Sequence, residues 1–226
     1  MKNDTEQIIL AHPEILAKGE ITICGLIMDR SGSMQRFGDT PRTAINEHIS
    51  KLKAHPNADN ALGFVMTFAD DSRFDLEPQP LKDMPLLPEY RSDGNTWLYG
   101  TVLEALQAML KLKAQAGERG VKANMIMAVF TDGEDNESSG SRAKLVKVSG
   151  QALEQGLELI LVGIGMPAKE IAQDMGFPPQ CAMQIAGTMH AVRQTMTHIT
   201  SRTCDTMTGS CGFPSRPSTP TPSSSH

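Results

Sequence analysis

The chain has 226 residues, of which 39% are hydrophobic, and its 21 basic and 26 acidic residues give a formal net charge of −5. This length is sufficient for one buried core, and the mild acidity argues against a nucleic-acid partner, because binding to phosphate backbones depends on clustered Lys and Arg. No apolar run reaches the ~18 residues of a membrane-spanning helix, so no membrane partner is expected.

Composition divides the chain into three regions. Residues 1–19 are predicted to form a peripheral leader, which has acidic residues and lacks the basic-then-apolar pattern of a signal peptide. Residues 20–204 contain the apolar runs of a folded domain. Residues 205–226 are rich in Ser, Thr, Pro and Gly, and we predict a disordered tail because they bury too little apolar surface to offset the entropy of ordering. The four cysteines are too few for a disulfide scaffold, and we expect a cytoplasmic protein.

Apolar runs alternate with amphipathic segments through the central region. The predicted strands are Ile21–Met28, Leu62–Phe68, Ser72–Leu81, Asn124–Phe130, Leu157–Val162 and Cys181–Ile185. The predicted helices begin at Thr40, Leu98, near Ser141, at Pro167 and after Thr188. This alternation predicts an α/β fold with a mostly parallel sheet of about six strands and helices on both faces. The polar Ser72–Leu81 segment is expected to form an antiparallel edge strand.

Polar segments follow two of these strands, and a third precedes the longest helix. Asp29–Met34 follows the first strand, Thr131–Asn136 follows the fourth, and Asp93–Leu98 leads into the helix. Ligands of open parallel sheets bind beyond the carboxyl ends of the strands, so we expect these segments to meet there. The predicted metal ligands are Asp29, Ser31, Ser33, Thr96 and Asp132. All five are hard oxygen donors without His or Cys, which favours Mg²⁺, Mn²⁺ or Ca²⁺ over zinc or copper.

The motifs Asp29-x-Ser31-x-Ser33, Gly94-x-Thr96-x-Leu98 and Thr131-Asp132-Gly133 resemble the metal-ion-dependent adhesion site of von Willebrand factor type A (VWA) domains. The resemblance covers most of the chain. It implies a Rossmann-like, doubly wound sheet and a divalent cation at its carboxyl edge. It also implies binding rather than catalysis, and a protein partner whose Glu or Asp carboxylate completes the coordination. A stand-alone cytoplasmic member of this family further implies an adaptor for an AAA+ ATPase, a kinase or a phosphatase in bacterial stress or defence systems.

Residue chemistry gives each predicted ligand a role. The hydroxyls of Ser31, Ser33 and Thr96 would bind the ion. Asp29 and Asp132 would hold these hydroxyls and the bound waters, or one of the two carboxylates would contact the ion directly. Neutral hydroxyl ligands leave a divalent ion electrophilic toward an outside carboxylate.

Two other functions stay open at this point. A Mg²⁺-dependent phosphohydrolase would use Asp29 as nucleophile, although Ser31 stands where the haloacid-dehalogenase type has its second Asp. A VWA domain with a purely structural ion would only tie the loops together.

The residues around the motifs also have two interpretations each. Arg30 and Arg36 either steer a carboxylate toward the ion or are simply exposed. The acidic residues Glu134, Asp135 and Glu137 either repel an acidic partner or attract a basic surface beside the metal, or they form a solvated loop or cap the helix that begins near Ser141, which is the favoured interpretation. Trp97 is either a partner anchor or a residue packed under its loop.

Overall fold

A six-stranded sheet forms the centre of the computed structural model, which describes residues 19–136 and 140–209. The strands are β1 (Glu20–Asp29), β2 (Ala61–Phe68), β3 (Ser72–Pro80), β4 (Lys122–Thr131), β5 (Leu157–Ile164) and β6 (Ala182–Ile185). The α-helices are α1 (Thr40–Lys53), α2 (Leu98–Gly117), α3 (Arg142–Glu154), α4 (Ala168–Asp174) and α5 (Met189–Met207). Short 3₁₀ helices span Gly32–Phe37, Ala58–Asn60, Leu81–Asp83 and Pro179–Cys181.

The strand order is β3-β2-β1-β4-β5-β6, and only β3 runs antiparallel to its neighbour. β1 lies between β2 and β4, with Asp29 opposite Phe68 and Met28 opposite Phe130. The chain continues to one side of β1 through β2 and β3 and to the other side through β4, so the strand order reverses at β1. Such a reversal opens a crevice at the carboxyl ends of the strands.

Side chains alternate across β1 between two buried layers. Ile23 and Ile27 belong to the layer that contains the apolar faces of α2, α3 and α4. Leu26 and Met28 belong to the layer that contains those of α1 and α5. Burial on both faces explains why β1 is an almost uninterrupted apolar run. The predicted fold class, with one antiparallel edge strand and helices on both faces, is confirmed.

The last helix extends beyond the predicted end of the domain at residue 204. It continues to Met207, whose side chain is buried. Near this end, the hydroxyls of Thr203 and Thr206 donate hydrogen bonds to the backbone carbonyls one turn earlier in α5. The predicted leader up to residue 18 and the predicted tail from residue 210 lie outside the described residues. None of the helices within the described ranges combines the length and hydropathy that a membrane crossing requires.

Candidate metal site

Asp29 ends β1 and has no exposed surface. Its Oδ1 accepts a hydrogen bond from the backbone N–H of Ser31 at 2.8 Å, and its Oδ2 accepts one from the Thr131 hydroxyl at 2.7 Å. Burial, with a smaller contribution from the charge of Asp132, raises the pKa of Asp29 to about 6 in spite of the opposing effect of these hydrogen bonds. This carboxylate therefore ties the turn after β1 to the end of β4.

Two serine hydroxyls follow Asp29 in the turn that leads into the 3₁₀ helix Gly32–Phe37. Ser31 is buried and Ser33 is exposed, and their Oγ atoms lie 3.1 Å apart. The Ser33 hydroxyl donates to Asp132 Oδ1 at 2.6 Å. The two hydroxyls thus connect the buried end of β1 to the loop after β4.

Asp132 has a fully buried side chain. Within the described part of the chain its Oδ2 atom has no hydrogen bond, although the Arg36 guanidinium forms an ion pair with it at 2.9 Å (Nη2 to Oδ2). The Arg36 guanidinium is therefore close enough to Asp132 for an ion pair but is not oriented to donate a hydrogen bond to Oδ2. A buried carboxylate oxygen without a hydrogen bond is costly, and a cation bound beside it would remove that cost.

Thr96 lies on the facing loop and is buried, with 5% of its surface exposed. Its backbone is bonded twice to Asn136, whose Oδ1 accepts the Thr96 N–H at 2.9 Å and whose N–H donates to the Thr96 carbonyl at 3.1 Å. A Cβ atom on Gly133 would come within 3.2 Å of Thr96 Oγ1. The absence of a side chain at Gly133 therefore leaves space around the Thr96 hydroxyl.

Backbone hydrogen bonds join the loops to one another independently of the side chains. They run from Gly32 N–H to Gly94 C=O (3.0 Å), from Asp93 N–H to Arg30 C=O (2.8 Å) and from Trp97 N–H to Ala69 C=O (2.8 Å). Asp70 Oδ1 also accepts the Asn95 N–H at 2.8 Å. The loops that follow β1 and β2 are thus both fixed to the segment before α2.

The structure brings all five predicted ligands into one region. Asp29, Ser31, Ser33 and Asp132 form a continuous chain of contacts, and Thr96 lies beside Gly133 next to Asp132. The described ranges contain no group of three or more His, Cys, Asp or Glu side chains suited to a metal, so hydroxyls make up much of this donor set. Hydroxyls, carboxylates and the buried Oδ2 of Asp132 suit a hard divalent cation. Their role as metal ligands stays a prediction.

Several residues that support the site were missed by the sequence analysis. Asn136 and Asp70 hold the backbone of the Thr96 loop, and the Thr131 hydroxyl holds Asp29. The Tyr90 hydroxyl donates to the Asp29 carbonyl, and burial raises the pKa of Tyr90. Thr131 and Asn136 both lie in the polar segment that was singled out after the fourth strand, but their supporting contacts were not predicted. For Asn136 the signal was a short amide side chain, of the kind that often bonds to nearby backbone.

The structure shows which contacts Asp135 and Trp97 make. Asp135 Oδ1 accepts the backbone N–H of Tyr99 at 2.9 Å, so it caps the first turn of α2 and not the helix that begins near Ser141. Glu137 lies outside the described residues. Trp97 is partly buried, and a Cβ on Gly100 would come within 2.3 Å of its ring, so the indole packs on the first turn of α2.

Solved structures resemble this chain in fold. A pilus adhesin, SpaC from Lactobacillus rhamnosus GG, aligns with a TM-score of 0.65 at 12% identity, covering 84% of this chain and 31% of that chain. The vWF domain of the type V pili tip protein Mfa5 from Porphyromonas gingivalis aligns with a TM-score of 0.60 at 7% identity, covering 80% of this chain and 94% of that domain. The chain has the VWA fold.

A third structure with this fold is the ArnB paralog VWA2 from Sulfolobus acidocaldarius, at a TM-score of 0.54 and 14% identity, covering 78% of this chain and 44% of that one. The chain spans about a third of the length of SpaC and less than half of that of the mussel byssus protein PTMP1. No family model and no curated protein matches the chain. At these identities the VWA resemblance extends to the fold alone.

Proposed function

We propose that this protein is an interaction module that binds an acidic side chain of a protein partner through a divalent cation, Mg²⁺ or alternatively Mn²⁺ or Ca²⁺. The VWA fold supports a protein-interaction module in general. The observation that supports the metal most directly is the buried Asp132 Oδ2, which has no hydrogen bond within the described ranges and lies on the same carboxylate that the Ser33 hydroxyl contacts.

The hydroxyls of Ser31, Ser33 and Thr96 would hold the cation, and Asp29 and Asp132 would orient those hydroxyls and bound waters. When bound, the cation supplies an electrophilic position for an outside carboxylate oxygen. Ser33 is the most exposed of the five, so the partner would approach the site from its side. This chain contributes the shape of the site and a negative potential that attracts the ion.

We propose binding and not catalysis. Among the described residues, neither Ser31 nor Ser33 is hydrogen-bonded to an imidazole, which is the usual base that activates a serine nucleophile. Asp29 has no exposed surface, and its two oxygens already accept hydrogen bonds from the Ser31 N–H and the Thr131 hydroxyl, which does not suit a nucleophile.

The cellular setting belongs to the same proposal: a cytoplasmic adaptor for an AAA+ ATPase, a kinase or a phosphatase. Cys24, Cys181 and Cys204 are free thiols, as expected in a reducing compartment.

Metal binding and partner capture test the proposal together. Isothermal titration calorimetry with Mn²⁺ is expected to show binding to the full-length protein, and Ser33→Ala should weaken it about tenfold or more, because a contact that orients the donor set is lost. Tagged protein from native lysate should retain a partner in Mg²⁺ and lose it in EDTA or in Ser33→Ala. Ser50→Ala is the matched control, since this exposed hydroxyl on α1 bonds only its own helix carbonyl among the described contacts.

Equal capture with and without chelator would contradict the proposal. Metal-dependent hydrolysis of p-nitrophenyl phosphate that Asp29→Asn abolishes would favour the phosphohydrolase. A large thermal shift with Mg²⁺, combined with a partner that is insensitive to Ser33→Ala, would favour a purely structural ion.

A further inference from the structure

Arg36 is the cationic side chain that contacts the buried carboxylate of the candidate metal site. Its Nη2 atom lies 2.9 Å from Asp132 Oδ2, and 51% of the Arg36 side chain is exposed while Asp132 has no exposed side-chain surface. The guanidinium therefore covers Asp132 from the solvent side. It occupies the position where an opposite charge most reduces the cost of burying that carboxylate.

The local backbone explains how Arg36 reaches this position. In a 3₁₀ helix, side chains three residues apart are eclipsed, so Ser33 and Arg36 project from the same edge of Gly32–Phe37. Both contact Asp132: the hydroxyl of Ser33 bonds Oδ1, and the guanidinium of Arg36 lies beside Oδ2.

The guanidinium also packs on its neighbour Phe37. Its carbon lies 4.8 Å from the centroid of the Phe37 ring, which is a cation–π distance, and Phe37 itself is buried. Gly187, in the loop before α5, has no side chain; a Cβ there would lie 3.8 Å from Arg36 Nη2. Phe37 thus favours the position of Arg36 beside Asp132, while the half-exposed side chain keeps space to move.

A divalent cation held by the neighbouring hydroxyls would be attracted to the same carboxylate. The guanidinium and the ion would then repel each other across a few ångströms in a partly dehydrated site. Because Arg36 is half exposed, it can move outward without losing a buried position. Asp132 can therefore be neutralised by Arg36 or by the ion, but not by both at full strength.

We propose that Arg36 is an internal competitor of the metal ion: it neutralises Asp132 in the metal-free protein and must leave Asp132 when the ion binds. The inference rests on the proposed metal-dependent function and adds its regulation, since Arg36 sets the cation concentration at which the site becomes competent for a partner. It also keeps the metal-free site from carrying an uncompensated buried charge.

The experiment compares full-length wild type, Arg36→Met and Arg36→Gln in Mn²⁺ binding, measured by the electron paramagnetic resonance signal of free Mn²⁺. Removal of the competing charge is expected to tighten Mn²⁺ binding about tenfold, which corresponds to the loss of a modest repulsion. Arg42→Met is the control, because Arg42 on α1 forms an ion pair with the exposed Asp39 just before that helix, and its loss should leave Mn²⁺ affinity unchanged.

Thermal midpoints give a second readout that a merely structural ion pair would not produce. Arg36→Met should unfold at a lower temperature than wild type in EDTA, and at the same or a higher temperature in saturating Mn²⁺. Arg36→Gln keeps hydrogen-bonding capacity without the charge and should behave in the same direction, which keeps the test decisive if the Met variant folds poorly.

The outcomes separate the two proposals. Unchanged or weaker Mn²⁺ affinity in both Arg36 variants, with binding to wild type intact, would overturn the competitor role and leave the proposed function standing. No Mn²⁺ binding to wild type or to either variant at millimolar concentration would overturn both.

Discussion

The two ends of β1 hold carboxylates in opposite electrostatic environments. At the amino end, Glu20 accepts hydrogen bonds from Lys122 Nζ at 2.9 Å and from Asn124 Nδ2 at 2.8 Å, and the Lys122 contact above all lowers the pKa of Glu20. At the carboxyl end, Asp29 is buried among neutral donors, and burial raises its pKa to about 6. Among the described residues, β1 thus begins with a carboxylate that is paired with a cationic side chain, Glu20, and ends with one whose hydrogen-bond donors are neutral, Asp29.

The same contrast extends along both edges of the sheet. At the amino edge, the buried Glu158 at the start of β5 is paired with Arg202, whose Nε lies 3.1 Å from its Oε1. At the carboxyl edge, Arg30 is engaged by Asp71 and the half-exposed Arg36 pairs with Asp132, whereas the hydrogen-bond donors to Asp29 are the neutral Ser31 N–H and Thr131 hydroxyl. Charge at the amino edge is matched within the chain and serves stability, whereas the carboxyl edge has an excess of negative charge that a bound cation would balance.

The largest expected effect on stability comes from removing the Arg202–Glu158 ion pair at the amino edge of the sheet. Arg202→Met leaves Glu158 buried without its ion pair and should lower the free energy of unfolding by about 2 kcal/mol, a value reduced from that of a fully buried pair because Arg202 is partly exposed. Urea unfolding measures this change, and Mn²⁺ affinity should stay unchanged. Lys122→Met, at the exposed Glu20 pair, should cost less than about 0.5 kcal/mol. Equal losses in the two variants would remove the distinction between buried and exposed pairs.

A smaller effect is expected from weakening the neutral donors at the carboxyl edge. Thr131→Val removes the hydroxyl that donates to Asp29 Oδ2 at 2.7 Å and should destabilise the metal-free protein by about 1.5 kcal/mol at neutral pH, since a charged acceptor loses a partner. Thr203→Val is the control, because this buried hydroxyl bonds only a carbonyl of its own helix among the described contacts. Urea unfolding in EDTA should show a clearly smaller loss for the control; the reverse order would contradict the role of Thr131.

The smallest expected effect is a pH dependence that distinguishes the two ends of β1. The pKa of Asp29 is raised in the folded state from 3.8 to about 6, so the folded state binds the proton more tightly and the unfavourable charge is lost as the pH falls. In EDTA, the contribution of Asp29 should make the protein about 1 kcal/mol more stable at pH 5 than at pH 7. Chemical unfolding of wild type and Asp29→Asn at both pH values isolates the contribution of Asp29 to the pH dependence of stability. An identical pH response in the two proteins would show that Asp29 is not the group responsible.

The sequence predicted the elements better than their arrangement. The sequence located every described strand to within about two residues. For β1, β2, β4 and β5 the reason is that strands buried on both faces have a continuous apolar signature. The polar character of Ser72–Leu81 predicted its edge position for the same reason. No local pattern shows that β1 lies between β2 and β4, since that order depends on packing between distant segments.

The candidate site shows the same division. Ser31, Ser33 and Asp132 were predicted because hydroxyls and acids that directly follow buried strands stand out against the apolar runs. The contacts of Asn136 with Thr96 and of Arg36 with Asp132 join residues far apart in the chain, and no spacing rule relates such pairs. Asp135 was interpreted as part of a solvated loop or as a cap of the helix that follows it, whereas it caps α2, which precedes it along the chain.

The backbone bonds that join the loops have a consequence for the proposed selectivity of the site. The Gly32, Asp93 and Trp97 amides fix the loops through main-chain atoms and not through the predicted ligand side chains. Binding of an ion by those side chains would therefore require little loss of conformational freedom, and the rigid loops would reject ions and acidic groups of the wrong size instead of adapting to them. Such a site would act as a template whose selectivity is encoded before any ligand arrives.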